Sequence, residues 1–251
     1  MVKPTLEMRL KMRERPQHRT PVMYETWENL LFLHWEYDSQ AIQHTLPNGL
    51  YVDTFDGKAY LGIVPFLMRD VRSRLFPFAL GMSDFEELNV RTYVYDSTGT
   101  PGVWFYSLDA NHYVAGKLAR LFFNLPYFHA NITAEFNPDR EMSFSSYRYG
   151  TDPTLTTHFR YHAISQPALA TPGTLEFFLI ERYVLFAYSK SNKLYSGRVW
   201  HKPYELAAVE VNNFDGNVLC LDGFQKPLRD ANHKIMSHGV EVDIFGLEEL
   251  N

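Results

Sequence analysis

The stretch Leu-Asn-Val-Arg-Thr-Tyr-Val-Tyr, residues 88–95, has the clearest alternation of apolar and polar side chains in the sequence. Successive side chains of a β-strand point to opposite faces of a sheet, so the alternation predicts a strand with one apolar and one polar face. The apolar face carries Leu88, Val90 and Val94. The polar face begins one residue earlier and carries Glu87, Asn89, Arg91, Tyr93 and Tyr95. The first four of these polar-face residues, from Glu87 to Tyr93, are named the polar stripe.

The segments on either side of this strand predict more strands of the same kind. A turn signal at residues 96–99 follows it, and residues 103–110 return as an almost continuous apolar run, which is typical of a strand covered on both faces. Hairpin patterns recur at residues 50–66, 131–149 and 183–201. Hairpin-connected strands pair antiparallel, and so many strands curl into a barrel or split into two layers. We therefore predict a mainly β fold of the α+β class, with a curved antiparallel sheet or partly closed β-barrel.

A few short helices are predicted to flank this sheet. Good helix caps precede three of them: Asp38 or Ser39, Asn111 and Thr174. The second of these helices covers residues 114–122, where apolar side chains follow helical spacing. No repeat or linker interrupts the chain. We therefore predict a basic, solvated N-terminal arm over residues 1–15, helical around Leu6–Met12, and a single domain over residues 16–251.

Composition argues against several classes of protein. The net charge of −5 implies no basic face for nucleic acid, and no apolar stretch approaches the ~20 residues of a membrane span. The single cysteine, Cys220, cannot form an internal disulfide, which favours a cytoplasmic protein. Glycine-rich phosphate loops are absent from the sequence, so no nucleotide cofactor is predicted. His158 and His162 share a strand face with Arg160, whose charge would repel a metal ion, so no metal site is predicted either.

Five segments of the chain carry a resemblance to a known family: Gly62–Phe66, Phe85–Val94, Gly102–Ala110, Leu125–Tyr127 and Glu181–Tyr183. Together they resemble the YqjF-like family of conserved proteins of unknown function. The chain is identified as a member of this family over nearly its whole length. The resemblance implies the acetoacetate decarboxylase-like fold, a curved and partly closed antiparallel barrel with flanking helices. It also suggests a homodimer or a higher homo-oligomer.

The same resemblance bears on catalysis. Acetoacetate decarboxylases form a Schiff base through the first lysine of an aromatic-Pro-Lys-Lys segment. The corresponding segment here is Leu125-Pro126-Tyr127-Phe128, so the resemblance places Tyr127 where the reactive lysine would be. A phenol cannot form an imine with a ketone, and Schiff-base decarboxylation is therefore not expected. Those enzymes also carry an active-site glutamate after an aromatic residue, and Phe85-Glu86-Glu87 matches that pattern at Glu87.

The role of the polar stripe remains open between hypotheses. In the first, the stripe faces an interior that binds a small molecule, either carboxylate-bearing or lipophilic, and an arginine would hold a carboxylate bidentately. The candidate catalytic residues are then Glu87 and Tyr127. The candidate ligand-binding residues are Asn89, Arg91, Tyr93, Arg120 and His201. In the second, the stripe is structural and the protein is a non-catalytic interaction module. A third is a lyase-type or isomerase-type enzyme that uses Glu87 as its general acid or base.

Overall fold

The computed structural model describes residues 2–74, 84–112, 124–138 and 140–250. The helices in these ranges are short: α1 (Leu6–Met12), α2 (Ser39–Thr45), α3 (Leu175–Ile180) and α4 (Asn217–Leu221). The first eight strands are β1 (Met23–Tyr37), β2 (Leu50–Val52), β3 (Ala59–Ser73), β4 (Phe85–Asp96), β5 (Pro101–Ala110), β6 (Tyr127–Phe136), β7 (Met142–Arg148) and β8 (Thr157–Ala163). The remaining strands are β9 (Ala168–Leu169), β10 (Val184–Tyr188), β11 (Leu194–His201), β12 (Glu205–Ala207), β13 (Val209–Asn212), β14 (His233–Ile244) and β15 (Glu248–Glu249).

The strands form one curved sheet, and part of it closes into a ring of paired strands. The order along the main path is β13-β8-β7-β6-β5-β10-β11-β14-β1-β3-β4-β2. Because β4 also pairs with β5, the path from β5 through β10, β11, β14, β1 and β3 returns to its start. This closure gives the sheet an inner face, although the sheet is not a regular barrel. The prediction of a mainly β, curved sheet with a few short helices is confirmed.

The prediction that all strands pair antiparallel is wrong, because the sheet is mixed. One half of β5 pairs in parallel with β10, with Val103 opposite Leu185. The other half pairs in parallel with β6, with Leu108 opposite Tyr127. Parallel neighbours need a long crossover connection, and the chain supplies one between the end of β5 and the start of β6.

The predicted hairpin over residues 50–66 is also wrong in its pairing. β2 pairs with β4, and only an isolated bridge between Phe55 and Lys58 forms at the turn. The chain leaves the sheet at Asp53, whose carboxylate accepts hydrogen bonds of 2.8 Å from both Arg9 and Arg182.

The N-terminal arm contains the predicted helix, none of whose residues is buried, and it is tied to the sheet by several contacts. Besides the contact of Arg9 with Asp53, Arg15 forms an ion pair of 2.6 Å with Asp243 on β14. The carbonyl group of Arg13 accepts a hydrogen bond from the indole of Trp200. The arm therefore lies against the sheet, because its basic residues find partners there.

The helix caps agree with the sequence where the structure describes them. The side chain of Asp38 accepts a hydrogen bond from the backbone N–H of Ala41, and Thr174 does the same for Phe177. The predicted helix over residues 114–122 lies outside the described residues, as does Arg120 within it.

Two apolar clusters cover the two faces of β4. Leu88 and Val90 pack into the cluster on the outer face. Phe85 and Tyr93 pack into the cluster on the inner face, together with side chains of β1, β3 and α3. A fully buried side chain of this size contributes about 1.5–3 kcal/mol. The two clusters fix which face of β4 turns inward, and this places the polar stripe in the interior.

Candidate functional site

The polar stripe lies on the inner face of β4 and is mostly shielded from solvent. Glu87 is 2% exposed, Asn89 is 4% exposed, and Tyr93 is fully buried. Arg91 is half-buried. The stripe is held between two long neighbours, β3 on one side and β5 on the other. The interpretation of this stripe as a solvent-facing surface does not agree with its burial.

Glu87 and Tyr127 meet in the interior, as the first hypothesis requires. The hydroxyl group of Tyr127 donates a hydrogen bond of 2.9 Å to Glu87, and Asn89 donates a longer one of 3.4 Å to the other carboxylate oxygen. The register explains the contact. Asn89 lies opposite Leu108 of β5, and Leu108 lies opposite Tyr127, so the tyrosine starts two strands away and reaches diagonally to Glu87.

A second buried carboxyl group, that of Glu25, joins this pair and was not predicted. Glu25 lies on β1, is 8% exposed, and accepts a hydrogen bond of 2.8 Å from the indole of Trp27. Burial raises its pKa to about 7. Burial likewise raises the pKa of Glu87 to about 8, and the negative charge of Glu25 adds to that rise. Glu87, Glu25 and Tyr127 are named the carboxyl cluster.

Arg91 lies at the other end of the stripe, away from the carboxyl cluster. Its guanidinium group sits over the rings of Phe32 and Tyr93, with centroids 5.4 Å and 5.7 Å away. The Nε and Nη2 atoms are buried and make no hydrogen bond. Two N–H groups on one edge of the guanidinium plane are thus held in place without an acceptor.

The hydroxyl group of Tyr93 contacts a neighbouring histidine. The hydroxyl oxygen lies 2.5 Å from Nε2 of His34, and Nδ1 of His34 lies 3.0 Å from Nδ1 of His233. Gly62 makes room for this contact, because a Cβ atom there would come within 3.1 Å of His34 and 3.2 Å of the tyrosine hydroxyl. The prediction of Tyr93 as a ligand-binding residue remains a prediction, and its observed contacts fit a supporting role beside Arg91.

His201 contributes an unused acceptor on the inner face. Its Nδ1–H donates to the carbonyl oxygen of Lys202 at 2.7 Å, so Nε2 must carry the lone pair. That Nε2 atom is buried and has no partner. The ring stacks on Tyr183 and contacts Tyr204, with centroids 4.5 Å and 4.4 Å away. Burial lowers the pKa of His201 to about 4, so the ring is neutral at pH 7.

The described residues offer neither an imine-forming lysine nor a metal centre. Every lysine in the described ranges is exposed, and Lys117 lies outside them. In the same ranges, no group of three His, Cys, Asp or Glu side chains is placed to hold a metal ion. Nor does that part of the chain contain a helix with the length and apolar character needed to cross a membrane.

Solved structures with this fold share little sequence with the chain. The enduracididine biosynthesis enzyme MppR, solved in complex with pyruvate, superposes with a TM-score of 0.66 at 14% identity, over 93% of this chain and 92% of that one. An acetoacetate decarboxylase from Legionella pneumophila superposes with a TM-score of 0.64 at 12% identity, over 100% of this chain and 96% of that one. These likenesses show that the chain has the acetoacetate decarboxylase-like fold.

The sequence itself identifies the family. The chain is 37% identical to the uncharacterized protein YqjF of Bacillus subtilis (strain 168) over 209 residues, which cover 83% of this chain and 85% of that protein. The model of the family DUF2071, described as an uncharacterized conserved protein, matches residues 24–241. This match includes all or most of every strand that surrounds the inner face, and the chain therefore belongs to the DUF2071 family.

Proposed function

We propose that the inner face of the sheet binds a small organic acid without forming a covalent bond to it, and that Arg91 holds the carboxylate of the ligand. The observation that carries this proposal is the free Nε and Nη2 edge of Arg91. That edge matches the two oxygens of a carboxylate, and such bidentate pairs are among the stronger hydrogen-bonded contacts in proteins. The rings of Phe32 and Tyr93 fix the guanidinium plane before a ligand arrives.

The carboxyl cluster supplies a different kind of contact at the other end of the stripe. With a pKa of about 8, Glu87 is protonated at pH 7 and can donate a hydrogen bond to a carbonyl or hydroxyl oxygen. Asn89 lies between this group and Arg91, and its Oδ1 atom is buried without a partner. Glu87 and Arg91 are four residues apart on the strand, about 13 Å along its axis, so only a ligand of about that length would contact both ends. The free Nε2 of His201 offers one more acceptor.

The structural neighbours support the choice of oxo acids as the first ligands to test. One neighbour is solved with pyruvate, and another is named for acetoacetate. Reactive-lysine chemistry is not expected, because Tyr127 contacts Glu87 at the position that the resemblance assigns to the lysine. Trapping with borohydride and acetoacetate, followed by intact-mass spectrometry, should give no adduct. A mass gain on any lysine would reject the non-covalent part of the proposal.

Ligand binding is tested by thermal shift and titration calorimetry with pyruvate and acetoacetate. A ligand at about 100 times its Kd stabilises the folded state by about 2.7 kcal/mol, which is readily measured. Acetone, which has the same ketone without a carboxylate, should give no shift. Arg91→Met should weaken binding at least tenfold, because hydrogen bonds to charged groups contribute about 1.5–3 kcal/mol.

Two further variants make this test specific. Arg91→Lys keeps the charge but lacks the planar edge, and it should bind more weakly than the wild-type protein. Arg69→Met is the matched control, because Arg69 is an arginine of the adjacent strand that pairs with Glu86. If Arg91→Met binds both acids as tightly as Arg69→Met does, the proposal is wrong.

The proposal extends to the setting in which the protein works. A cytoplasmic location is supported by the single cysteine, Cys220, which is half-buried and free. A homo-oligomeric state is supported by the family resemblance. Light scattering of the purified protein tests the second point, and a monomeric mass at micromolar concentration would reject it.

A further inference from the structure

A cavity of about 320 Å³ lies between the N-terminal arm, α2 and the end of β2. The arm contributes Lys3 and Arg9, α2 contributes Gln43, and β2 with the residue that follows it contributes Tyr51 and Asp53. Pockets that hold small molecules have volumes of about 300–1,000 Å³, so this one is large enough for a small ligand. None of the described residues that line it belongs to the polar stripe. It is named the arm cavity.

The acceptor groups of the arm cavity are already occupied. Asp53 is the one acidic residue among the described residues that line it. Its carboxylate accepts three hydrogen bonds of 2.8–2.9 Å, two from Arg9 and one from Arg182. The side-chain amide of Gln43 is bound at both ends to the backbone of β2. A cation that entered the cavity would therefore find no free carboxylate.

The charge around Asp53 is positive overall. Arg9 and Arg182 both donate to the same carboxylate oxygen, so two guanidinium groups share one negative charge. Both groups also lie over the ring of Phe178, at 4.8 Å and 4.4 Å from its centroid. Burial lowers the pKa of Arg182 to about 10, and the charge of Arg9 adds to that effect, yet Arg182 stays charged at pH 7. One positive charge is left over among these side chains.

The arm cavity also contains donors that no described residue uses. Lys3 is exposed and forms no ion pair with any part of the chain that the structure describes. Arg9 spends two of its five N–H groups on Asp53, and within the same ranges its Nε–H group has no acceptor. The hydroxyl groups of Ser39 and Tyr51 likewise have no hydrogen-bond partner there. Donors from three parts of the chain therefore border one space.

We propose that the arm cavity binds a small organic phosphate, with the phosphate group between Lys3 and Arg9 and the organic part against the ring of Tyr51. A phosphate monoester carries nearly two negative charges at pH 7 and only accepts hydrogen bonds from charged donors. Two positive charges await it, that of Lys3 and the one left over beside Asp53. The ring of Tyr51 lies 5.6 Å from that of Tyr95 and offers apolar area next to the donors.

This inference goes beyond the proposed function and does not depend on it, because it concerns a different space and a different ligand. The ligand would bridge two parts of the molecule. Lys3 and Arg9 belong to the arm, whereas Ser39 and Tyr51 belong to α2 and β2. A bound phosphate should therefore hold the arm more firmly against the sheet.

The probe is phenyl phosphate, and its binding to the full chain is measured by titration calorimetry and thermal shift. We expect phenyl phosphate to bind, and inorganic phosphate to bind more weakly because it lacks the ring. Phenol has the ring without the charge and should give no saturable signal. The affinity for phenyl phosphate should fall as NaCl is added, because salt screens charges near the surface. If phenyl phosphate gives no saturable signal at low salt, the proposal is wrong, and equal binding of the two phosphates would reject the contact with Tyr51.

Variants of one exposed lysine make the test specific to the cavity. Lys3→Gln should weaken binding of phenyl phosphate about threefold, the scale of one exposed ion pair, and Lys3→Glu at least about tenfold, because repulsion replaces attraction. Lys11→Gln is the matched control, since it removes an exposed lysine of the same arm that does not line the cavity. Equal melting temperatures without ligand verify that all three variants fold. If Lys3→Glu binds phenyl phosphate as tightly as Lys11→Gln does, the proposal is overturned.

Two further measurements locate the bound probe. Saturating phenyl phosphate should slow tryptic cleavage after Lys11 in the wild-type protein and should have no such effect in Lys3→Glu; unchanged cleavage of the wild-type protein would contradict the bridging contact. Pyruvate, at a concentration that saturates the inner face, should not displace phenyl phosphate. Displacement would mean that the probe binds at Arg91, and it would overturn this proposal while the proposed function stands. If no oxo acid binds at all, the proposed function fails, and the Lys3 variants still decide this proposal.

Discussion

Replacing Glu87 with glutamine should make the protein more stable, and increasingly so as the pH rises. In the folded protein the pKa of Glu87 is about 8, whereas its ordinary value is 4.5. Below pH 4.5 the group is protonated in both the folded and the unfolded chain, so it does not affect their balance. Between pH 4.5 and about 8 only the unfolded chain ionises, which stabilises the unfolded state. Wild-type stability is therefore lost through this window, and the loss is complete above the folded pKa.

The size of the effect follows from the two pKa values. They differ by about 3.5, and each pKa unit corresponds to about 1.4 kcal/mol, so the upper limit is about 5 kcal/mol. Glu87 is only 2% exposed, so solvent screening reduces this value little. Glutamine has almost the same shape and still accepts the hydrogen bond from Tyr127. Glu87→Gln should therefore match the wild-type protein near pH 4.5 and exceed it by several kcal/mol at pH 8.

The assay is urea unfolding of both proteins at intervals from pH 4.5 to pH 9. The quantity of interest is the difference between their free energies of unfolding at each pH. Glu86→Gln measures the effect of removing a carboxyl group of the same strand outside the cluster. A difference for Glu87→Gln that stays constant across the pH range would show that Glu87 ionises freely in the folded protein. That result would refute the argument for a buried, protonated acid.

Two other predictions concern the framework around the site. Arg148→Met should lower the free energy of unfolding, measured with urea, by about 3–5 kcal/mol. The guanidinium group of Arg148 lies 2.7 Å from the carboxylate of Asp109 and 3.0 Å from that of Asp222, and the variant leaves both buried without a cation. A loss below about 1 kcal/mol would contradict this. Gly102→Ala should cost about 1–3 kcal/mol, because its Cβ atom would lie 2.7 Å from a carbonyl oxygen of β10. The control Gly246→Ala, whose Cβ has its nearest neighbour at 3.8 Å, should melt at a temperature well above that of Gly102→Ala.

The sequence predicted the position of a side chain correctly where the pattern lay within a single strand or a short motif. The alternation around Val90 placed the polar stripe on one face, and the structure confirms that Leu88 and Val90 pack on the other. The resemblance to a known family brought Tyr127 and Glu87 into the same hypothesis, and the structure joins them by a hydrogen bond. The first prediction needed only the alternation of apolar and polar residues along β4, and the second needed only short motifs shared with a known family.

Glu25 and β14 could not be found in the same way. The register of β1 against β3 shifts between Tyr24 and Thr26, so alternation along β1 does not tell which face Glu25 occupies. β14 contains Gly239, and its partner β1 lies about 200 residues earlier in the chain, as the pairing of Trp27 with Val240 illustrates. Contacts of such sequence separation leave no local pattern, and the closure of the sheet depends on them.

The treatment of charge in the interior supports the proposal that the polar stripe binds a ligand. Where the fold buries a carboxylate for its own use, it supplies an arginine, as Arg148 does for Asp109. Glu87 and Arg91 share one face of one strand, yet Glu87 is bound to neutral donors and Arg91 keeps two N–H groups free. A protonated acid and a guanidinium group with two unused N–H groups are thus both buried, and each arrangement costs stability. Such a cost is expected where polar groups are reserved for a ligand.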